Sequence, residues 1–243
     1  MIGMVLAAGA GRRLGEDTAE LPKTLLPVDG DRTILDVVLA NFAAVGLERA
    51  VIVTGFAAGR VDELAPELER RHGLRVQTLF NPKAEEWNNA YSLWCAREAF
   101  AEGVVLVNGD TVHPASVQQR LLDSRGPELL IAVDAEKALG EEEMKVHVDE
   151  TGQLERINKA LDPASAQGEY IGVTLIEPAA SEGLADALEA TWRRDTTLYY
   201  EDGFQEFADR GGRVGIAPIG QVEWVEVDDH ADLARAREVA CRC

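Results

Sequence analysis

The chain has 243 residues, 46% hydrophobic and 28% charged, with a formal net charge of −19. This size allows a substantial core, and so acidic a surface argues against nucleic acid or an anionic membrane as a partner. Any nucleotide site must therefore be a local basic pocket assisted by a metal ion. The three cysteines suggest no disulfide framework, and no apolar run is long enough to span a membrane. Since no signal peptide is recognised before the first strand, we expect a cytoplasmic protein.

Apolar periodicity in the first half alternates between strands and helices. Predicted strands cover residues 2–8, 50–54, 74–80 and 104–107, and predicted helices cover 33–45, 60–72 and 88–100. This alternation predicts a mainly parallel central sheet flanked by helices, an α/β architecture.

After Pro114 the pattern changes to strands at 129–133, 144–148, 154–157 and 170–176, with few helices between them. A turn at 149–152 joins two of them. Helices at 179–193 and 198–210, strands at 214–217 and 224–227, and a helix at 230–239 complete the prediction. We expect one domain over 1–243, with a parallel-strand half (1–113) and a mixed-strand half (114–243).

The first strand opens into a glycine-rich loop. Gly9 and Gly11 allow backbone N–H groups to approach a phosphate chain without a Cβ clash. Arg13 and Lys23 can neutralise that chain. The spacing differs from the Gly-x-Gly-x-x-Gly dinucleotide motif, because Leu14 stands where the third glycine would be. The predicted nucleotide-binding residues of this segment are Leu6, Ala7, Ala8, Gly9, Gly11, Arg13 and Lys23.

Carboxylates follow the fourth strand and lie on a late strand. Asp110 comes directly after residues 104–107, and Glu226 and Asp228 would point to one face of their strand. Ligands of open parallel sheets bind at the carboxyl ends of strands, and Mg²⁺ prefers carboxylate and phosphate oxygens. We therefore expect these three acids to bind Mg²⁺. A helix-capping Asp110 and a solvated polar strand face remain the alternatives.

The segment Leu6 to Leu14 followed by Pro22-Lys23 resembles the N-terminal motif of nucleotidyltransferases, which join a nucleoside triphosphate to a phosphorylated acceptor. Arg12 departs from it, since that family often has Ser or Thr there. Residues 88–93, Asn-Asn-Ala-Tyr-Ser-Leu, resemble cytidylyltransferases that act on phosphocholine and related phospho-alcohols or phosphonates; sugar-1-phosphate members usually have a Gly-Leu-Ala type of sequence. The resemblance implies a Rossmann-like nucleotidyltransferase fold, Mg²⁺ on Asp110 and Asp228 with Glu226 beside them, and nucleotide contacts from Asn88, Asn89, Ser92 and Asp110.

The second half resembles the acceptor side of the same family. A lysine matching Lys159 contacts the acceptor phosphate there, and Tyr199-Tyr200-Glu201-Asp202 resembles a stretch near the acceptor. The residues expected to bind the acceptor are Lys159, Glu169, Tyr200 and Glu201. Several aromatic residues in these segments could cage a quaternary ammonium, or could belong to the core: Trp87, Tyr91, Trp94, Tyr170, Tyr199, Tyr200 and Trp224.

The predicted activity is transfer of CMP from CTP to a small phosphomonoester or phosphonate with release of pyrophosphate, with Arg13, Lys23 and Lys159 as catalytic residues. Phosphocholine, inositol phosphate, glycerol phosphate, 2-aminoethylphosphonate and hydroxyalkylphosphonates remain open as acceptors. A sugar-1-phosphate enzyme using UTP or dTTP is the alternative, and an inactive nucleotide-sensing module is a remote one. We expect a monomer or small homo-oligomer. Cys241 and Cys243 near the end of the chain suggest no specific role.

Overall fold

In the computed structural model, which describes residues 1–242, thirteen strands and seven α-helices follow one another along the chain. The strands are β1 (Ile2–Ala7), β2 (Pro27–Asp29), β3 (Arg32–Thr33), β4 (Arg49–Thr54), β5 (Arg75–Phe80), β6 (Val104–Asn108), β7 (Thr111–Val112), β8 (Leu129–Asp134), β9 (Lys145–Val148), β10 (Leu154–Asn158), β11 (Gly168–Ile176), β12 (Val214–Pro218) and β13 (Val225–Glu226). The helices are α1 (Ile34–Ala44), α2 (Ala58–His72), α3 (Asn89–Cys95), α4 (Ala115–Asp123), α5 (Ser181–Arg194), α6 (Tyr200–Asp209) and α7 (His230–Ala240). Cys243 lies outside the described residues.

A nine-stranded sheet forms the centre of the fold, in the order β10-β9-β11-β6-β1-β4-β5, with β8 pairing to β11 and β12 pairing to β8. Strands β6, β1, β4 and β5 are parallel to one another, whereas β11 runs antiparallel to β6. The first half of the chain therefore contributes the parallel part and the second half the mixed part. This architecture confirms the predicted fold class.

Both faces of the sheet are covered, which explains the continuous apolar strands. Phe42 of α1 and Phe100 are both fully buried, each in a different hydrophobic cluster of the core. A Cβ at Gly3 would lie 2.3 Å from the Phe42 ring, so the glycine in β1 makes room for that side chain. Burial of a phenylalanine stabilises a fold by roughly 1.5–3 kcal/mol. Among residues 1–242, no helix has both the length and the apolar character needed to cross a membrane.

Three elements differ from the sequence-based prediction. The helix expected over 88–100 ends at Cys95 because Ala96 leaves helical geometry (φ −92°, ψ 10°), and a 3₁₀ segment, Arg97–Glu102, follows it. Helix α4 was not predicted, although Pro114 at its start and the buried pair Val117 and Leu121 are helix signals. The strand expected over 224–227 is the short β13, which pairs with β7 rather than with the main sheet.

Candidate active site

The register of the sheet brings the glycine loop and Asp110 to one edge. Leu6 of β1 is the register partner of Asn108 of β6, so the segments that follow both strands start side by side. The Gly109 N–H donates to the Leu6 carbonyl at 2.9 Å. A Cβ at Gly109 would lie 2.6 Å from that oxygen, so this close approach requires glycine. The Ala8 carbonyl similarly accepts from the Phe56 N–H, which anchors the start of the loop.

The short strand β13 brings the late acids to the same place. It runs antiparallel to β7 with Glu226 opposite Thr111, and the Val227 N–H donates to the Asp110 carbonyl at 2.9 Å. Carboxylate oxygens of Asp110, Glu226 and Asp228 consequently lie within 4.8 Å of one another. Three carboxylates, each reached by solvent, match the hard oxygen ligands and residual waters that Mg²⁺ prefers. The donor set therefore fits a divalent cation.

Two basic side chains from the glycine-loop region contact these acids. The Lys23 Nζ lies 2.8 Å from Asp110 Oδ2 and 3.1 Å from Asp228 Oδ1, and the Arg13 guanidinium lies 2.9 Å from Asp228 Oδ1. Burial alone would lower the pKa of Lys23, but the attraction of Asp110 and Asp228 outweighs it and raises the pKa, so Lys23 is an ammonium. The structure thus brings together the predicted basic and acidic residues.

Glu226 binds its proton unusually tightly for a carboxyl group. Desolvation, followed by the like charges of Asp110 and Asp228, raises the pKa of Glu226 to about 8, although its side chain still reaches solvent in the cleft. Lys23 acts in the opposite direction. A cation bound beside these carboxylates would therefore favour the ionised form of Glu226.

Glu226, Asp228 and Arg13 line a cleft of about 560 Å³, and the Asp110 carboxylate lies beside it, within 4.8 Å of the other two acids. Other predicted site residues that line it are Asn89, Lys159, Glu169 and Glu201. A groove of similar size, about 550 Å³, lies between the segment 16–21 and α2, and it contains none of the predicted site residues.

One wall of the cleft carries an ion pair between an exposed lysine and a buried carboxylate. Glu169 is 6% exposed, and the Lys137 ammonium donates to its Oε2 at 2.7 Å. Burial raises the pKa of Glu169, and Lys137 opposes that shift. Lys137 also lies 3.3 Å from Glu143, so one cation bridges two carboxylates of this wall.

Glu201 has no such partner. Glu201 is the second residue of α6, is 6% exposed and lines the cleft. Its Oε2 nevertheless has no hydrogen-bond partner within residues 1–242. Burial raises the pKa of Glu201 to about 7, and hydrogen bonds from its own backbone and from the Tyr200 side chain, followed by the charge of Lys159, oppose this shift. A buried carboxylate oxygen without a donor, as Oε2 is here, costs free energy.

Tyr200, Asn88 and Ser92 face the protein rather than the cleft. Tyr200 is fully buried, and its hydroxyl bonds to Asn108 Oδ1 at 2.8 Å and to the Tyr170 hydroxyl at 3.0 Å. The Asn88 side chain caps α3 by accepting from the Asn89 N–H, and it donates to the Thr197 carbonyl. Ser92 is 3% exposed and accepts from the Asn81 amide at 2.8 Å. These three side chains were expected to contact ligands, but their polar groups are engaged within the protein.

Asn89 does line the cleft. Its Oδ1 accepts from the Tyr200 N–H at 2.9 Å, so it joins the start of α3 to the start of α6. Of the predicted asparagine and serine contacts, the structure therefore brings only Asn89 to the surface of the cleft.

Residues 3–199 match the model of the MobA-like NTP transferase domain. The chain belongs to this family. Glu226 and Asp228 lie beyond residue 199, so the matched range contains the glycine loop, Lys23 and Asp110 but not the late acids.

Curated relatives of this MobA-like chain include enzymes that use cytidine nucleotides. It is 32% identical over 241 residues to a CMP-5'-(3-aminopropyl)phosphonate synthase of Streptomyces rubellomurinus, covering 96% of this chain and 38% of that protein. It is 29% identical over 106 residues to choline-phosphate cytidylyltransferase of Streptococcus pneumoniae, covering 44% of this chain and 43% of that protein. The matches thus span about two fifths of each relative's length.

Solved structures confirm the nucleotidyltransferase fold. The inositol-1-phosphate CTP transferase from T. maritima superposes with a TM-score of 0.83 at 24% identity, covering 99% of this chain and 94% of that one. The CTP:phosphocholine cytidylyltransferase from Streptococcus pneumoniae gives a TM-score of 0.73 at 19% identity, covering 98% of both chains.

The aromatic residues of this MobA-like chain divide into two groups. Trp87, Tyr91 and Trp94 pack with Trp192 in a cluster of rings whose neighbouring centres are 4.8–5.5 Å apart, and none of these four lines the cleft. Of the rings considered for a choline cage, those that line the cleft are Tyr170, Tyr199 and Trp224.

Sequence reasoning missed Lys137 and Asp134. Asp134 ends β8, as Asn108 ends β6, and its Oδ2 accepts from the Trp224 indole at 2.8 Å. The position of an acid at a strand end could have identified Asp134. The pairing of Lys137 with Glu169 joins residues 32 positions apart, and no local pattern indicates it.

Proposed function

We propose that this protein transfers CMP from CTP to a small phosphonate or phosphomonoester and releases pyrophosphate. The observation that carries the proposal is the set of three carboxylates, Asp110, Glu226 and Asp228, held beside Lys23 and Arg13 at the mouth of the glycine loop. Positive charge next to a cation-binding acidic group is the arrangement that a magnesium nucleoside triphosphate requires.

In this proposal the acceptor supplies the nucleophile, so the protein's task is alignment and charge neutralisation. Lys23 and Arg13 bind the triphosphate, and the backbone around Gly9 and Gly11 holds the nucleoside. Asp110, Glu226 and Asp228 would hold Mg²⁺, which when bound neutralises phosphate charge and polarises the α-phosphate. Lys159, exposed on the rim of the cleft, orients the acceptor phosphate.

Cytosine is the proposed base, because the relatives described above act with cytidine nucleotides. A site that pairs with the cytosine 4-amino group leaves a polar group unpaired when uracil is bound, which typically costs a few kcal/mol. We therefore expect kcat/KM for CTP to exceed that for UTP by at least about tenfold. The base contacts would come from the glycine-loop backbone and Asn89.

Glu201 supports an acceptor that carries a protonated amine. Its Oε2 lacks a hydrogen-bond donor, and a protonated amine would supply both the donor and a charge that compensates the buried carboxylate. Glu169, by contrast, already has Lys137 as its partner. An aminoalkyl phosphonate or amino-alcohol phosphate could place its amine at Glu201 and its phosphorus end near Lys159, since these two residues are close enough to influence each other's charge.

A quaternary ammonium fits this wall less well. It has no N–H to donate to Glu201, and it is bound best by several aromatic faces. The ring cluster around Trp192 does not line the cleft, and Tyr170 is only 3% exposed. Phosphocholine should therefore be a poorer acceptor than a primary amine of similar length.

A pyrophosphate-release screen tests the proposed reaction. The four ribonucleoside triphosphates and dTTP are crossed with 2-aminoethylphosphonate, phosphocholine, a hydroxyalkylphosphonate, glycerol phosphate, inositol phosphate and glucose 1-phosphate. We expect the highest rate with CTP and the amine. A higher rate for UTP or dTTP with glucose 1-phosphate would favour the sugar enzyme. Nucleotide binding without turnover of any acceptor would favour a sensing module.

The acceptor class is tested with Glu201→Gln. This change should lower kcat/KM for the amine at least about tenfold, the scale of a charge-assisted hydrogen bond, and leave a neutral hydroxyalkylphosphonate within about threefold. Glu142→Gln is the matched control, because Glu142 is an exposed carboxylate on the rim of the same cleft. Equal losses for both acceptors would show that Glu201 does not bind the amine.

A further inference from the structure

The Lys23 ammonium lies among the oxygens that a metal ion would use. Its Nζ contacts Asp110 Oδ2 at 2.8 Å and Asp228 Oδ1 at 3.1 Å, and its side chain is only 14% exposed. The stem of Lys23 packs beside Gly11, where an added Cβ would lie 3.1 Å from the Lys23 Cβ. The ammonium is thus held against the acidic group by packing as well as by charge.

An ammonium and a divalent cation compete for the same carboxylates at this position. Oxygens of Asp110, Glu226 and Asp228 lie within 4.8 Å of one another, and Lys23 already contacts two of these residues. A metal bound at about 2.1 Å to the Asp110 oxygen that Lys23 contacts would lie close to the ammonium, so the two cations would repel each other.

We propose that Lys23 fills the cation position in the nucleotide-free protein, and that the triphosphate creates the metal site by drawing Lys23 away from Asp110 and Asp228. This rests on the proposed function for the identity of the anion that receives Lys23. Lys23 thereby controls the access of the metal ion to the acids and also binds phosphate, so that binding of the metal and binding of the nucleotide are thermodynamically coupled.

The coupling follows from the cost of moving the ammonium. If Lys23 left the acids with no anion to receive it, its ammonium would be a poorly solvated charge. Its departure would also leave Asp110 and Glu226 without this compensating charge, with Arg13 still paired to Asp228. Triphosphate oxygens provide the new partner, and the divalent cation compensates the acids. Because linkage is reciprocal, the nucleotide strengthens metal binding by the factor by which the metal strengthens nucleotide binding.

The test is Mn²⁺ binding to the protein without nucleotide, measured by electron paramagnetic resonance and calorimetry. Lys23→Gln should bind Mn²⁺ at least about tenfold more tightly than the unmodified protein. Lys137→Gln is the charge-matched control, because Lys137 lines the same cleft but pairs with Glu143 and Glu169. It should change the Mn²⁺ affinity by no more than about threefold, the generic effect of one lost charge.

Two further variants test whether the gain in Mn²⁺ affinity comes from removal of the Lys23 ammonium and depends on Asp110. Lys23→Met retains the stem that packs beside Gly11, so it replaces Lys23→Gln if that protein fails to fold, and it should give the same gain. Asp110→Asn combined with Lys23→Gln should abolish the tight Mn²⁺ binding. An unchanged affinity in both Lys23 variants, a gain matched by Lys137→Gln, or tight binding that survives Asp110→Asn would overturn the proposal. The Mn²⁺ measurements contain no nucleotide, so their outcome does not depend on whether CTP is the substrate. The proposed reaction is tested separately by the pyrophosphate-release screen.

Discussion

The hydroxyl of Tyr200 donates to Asn108 Oδ1 at 2.8 Å, which ties the first residue of α6 to the last residue of β6. Asn108 stands two residues before Asp110, and Tyr200 stands directly before Glu201. One fully buried hydroxyl thus sets the position of Glu201 relative to Asp110.

Removal of this hydroxyl should weaken the fold. In Tyr200→Phe the carboxamide of Asn108 loses its donor, and the Tyr170 hydroxyl keeps only its bond to Thr174. We expect the free energy of unfolding to fall by about 1–3 kcal/mol, measured by urea denaturation. Tyr199→Phe is the control, since Tyr199 is 40% exposed, and should change it by less than about 0.5 kcal/mol. Equal effects in both variants would contradict this assignment.

Asp110→Asn keeps the shape of the side chain and removes a charge from the acidic group. If Asp110 helps to hold Mg²⁺, kcat should fall by roughly a thousandfold, because Lewis-acid stabilisation is worth several kcal/mol. Pyrophosphate release at saturating Mg²⁺ measures the loss, and circular dichroism checks the fold. Asp62→Asn, on the exposed face of α2, serves as control. Retention of more than about a third of the rate would exclude Asp110 as a metal ligand.

Lys159→Ala should act on the acceptor alone. Lys159 is exposed on the cleft rim, with its Nζ 5.8 Å from the centre of the Tyr199 ring, and it does not contact the acidic group. We expect a combined loss in acceptor KM and kcat worth about 1–3 kcal/mol, the scale of a charge-assisted contact. CTP binding measured by calorimetry without acceptor should barely change. A large loss of CTP affinity would instead assign Lys159 to the nucleotide.

The buried Glu201 predicts a pH-dependent stability. Its pKa rises from the ordinary 4.5 to about 7 on folding, so the folded protein binds its proton more tightly than the unfolded chain. Stability is therefore greatest below pH 4.5 with respect to this group and is lost as the pH rises to about 7. Glu201→Gln removes this loss. Its stability relative to the unmodified protein should rise by about 3 kcal/mol between pH 4.5 and pH 8, measured by urea unfolding.

Glu226 adds to this difference in the same direction, because the charge of Glu201 helps to raise the pKa of Glu226 and that contribution is lost in Glu201→Gln. A difference between the two proteins that is the same at both pH values would show that the Glu201 carboxylate is not destabilised by burial.

Gly109→Ala should prevent the close approach of β6 to β1. The added methyl group would lie 2.6 Å from the Leu6 carbonyl oxygen, which belongs to the backbone and cannot rotate away. We expect destabilisation of at least about 3 kcal/mol, seen as a lower urea midpoint or as insoluble protein. Gly126→Ala is the matched control, because nothing lies within 4 Å of the added atom. A stable Gly109→Ala protein would show that the two loops can separate.

The sequence alone determined the fold class and the position of Asp110 at the same edge of the sheet as the glycine loop. Apolar periodicity reports which residues are buried, and parallel strands place their carboxyl ends at one edge, so both conclusions follow from local pattern. The sequence predicted Lys23 as a triphosphate ligand and Asp110 and Asp228 as metal ligands in one crevice; the direct contact of Lys23 with these acids was not predicted.

Only the tertiary structure decided which polar side chains face the cleft. Asn88 and Ser92 turn inward because their partners, Thr197 and Asn81, come from other segments, and Tyr200 is buried because Asn108 and Tyr170 surround its hydroxyl. The same packing leaves Glu201 without a hydrogen-bond partner for its Oε2 within residues 1–242. Periodicity cannot reveal such relationships, because they depend on contacts between residues up to 109 positions apart.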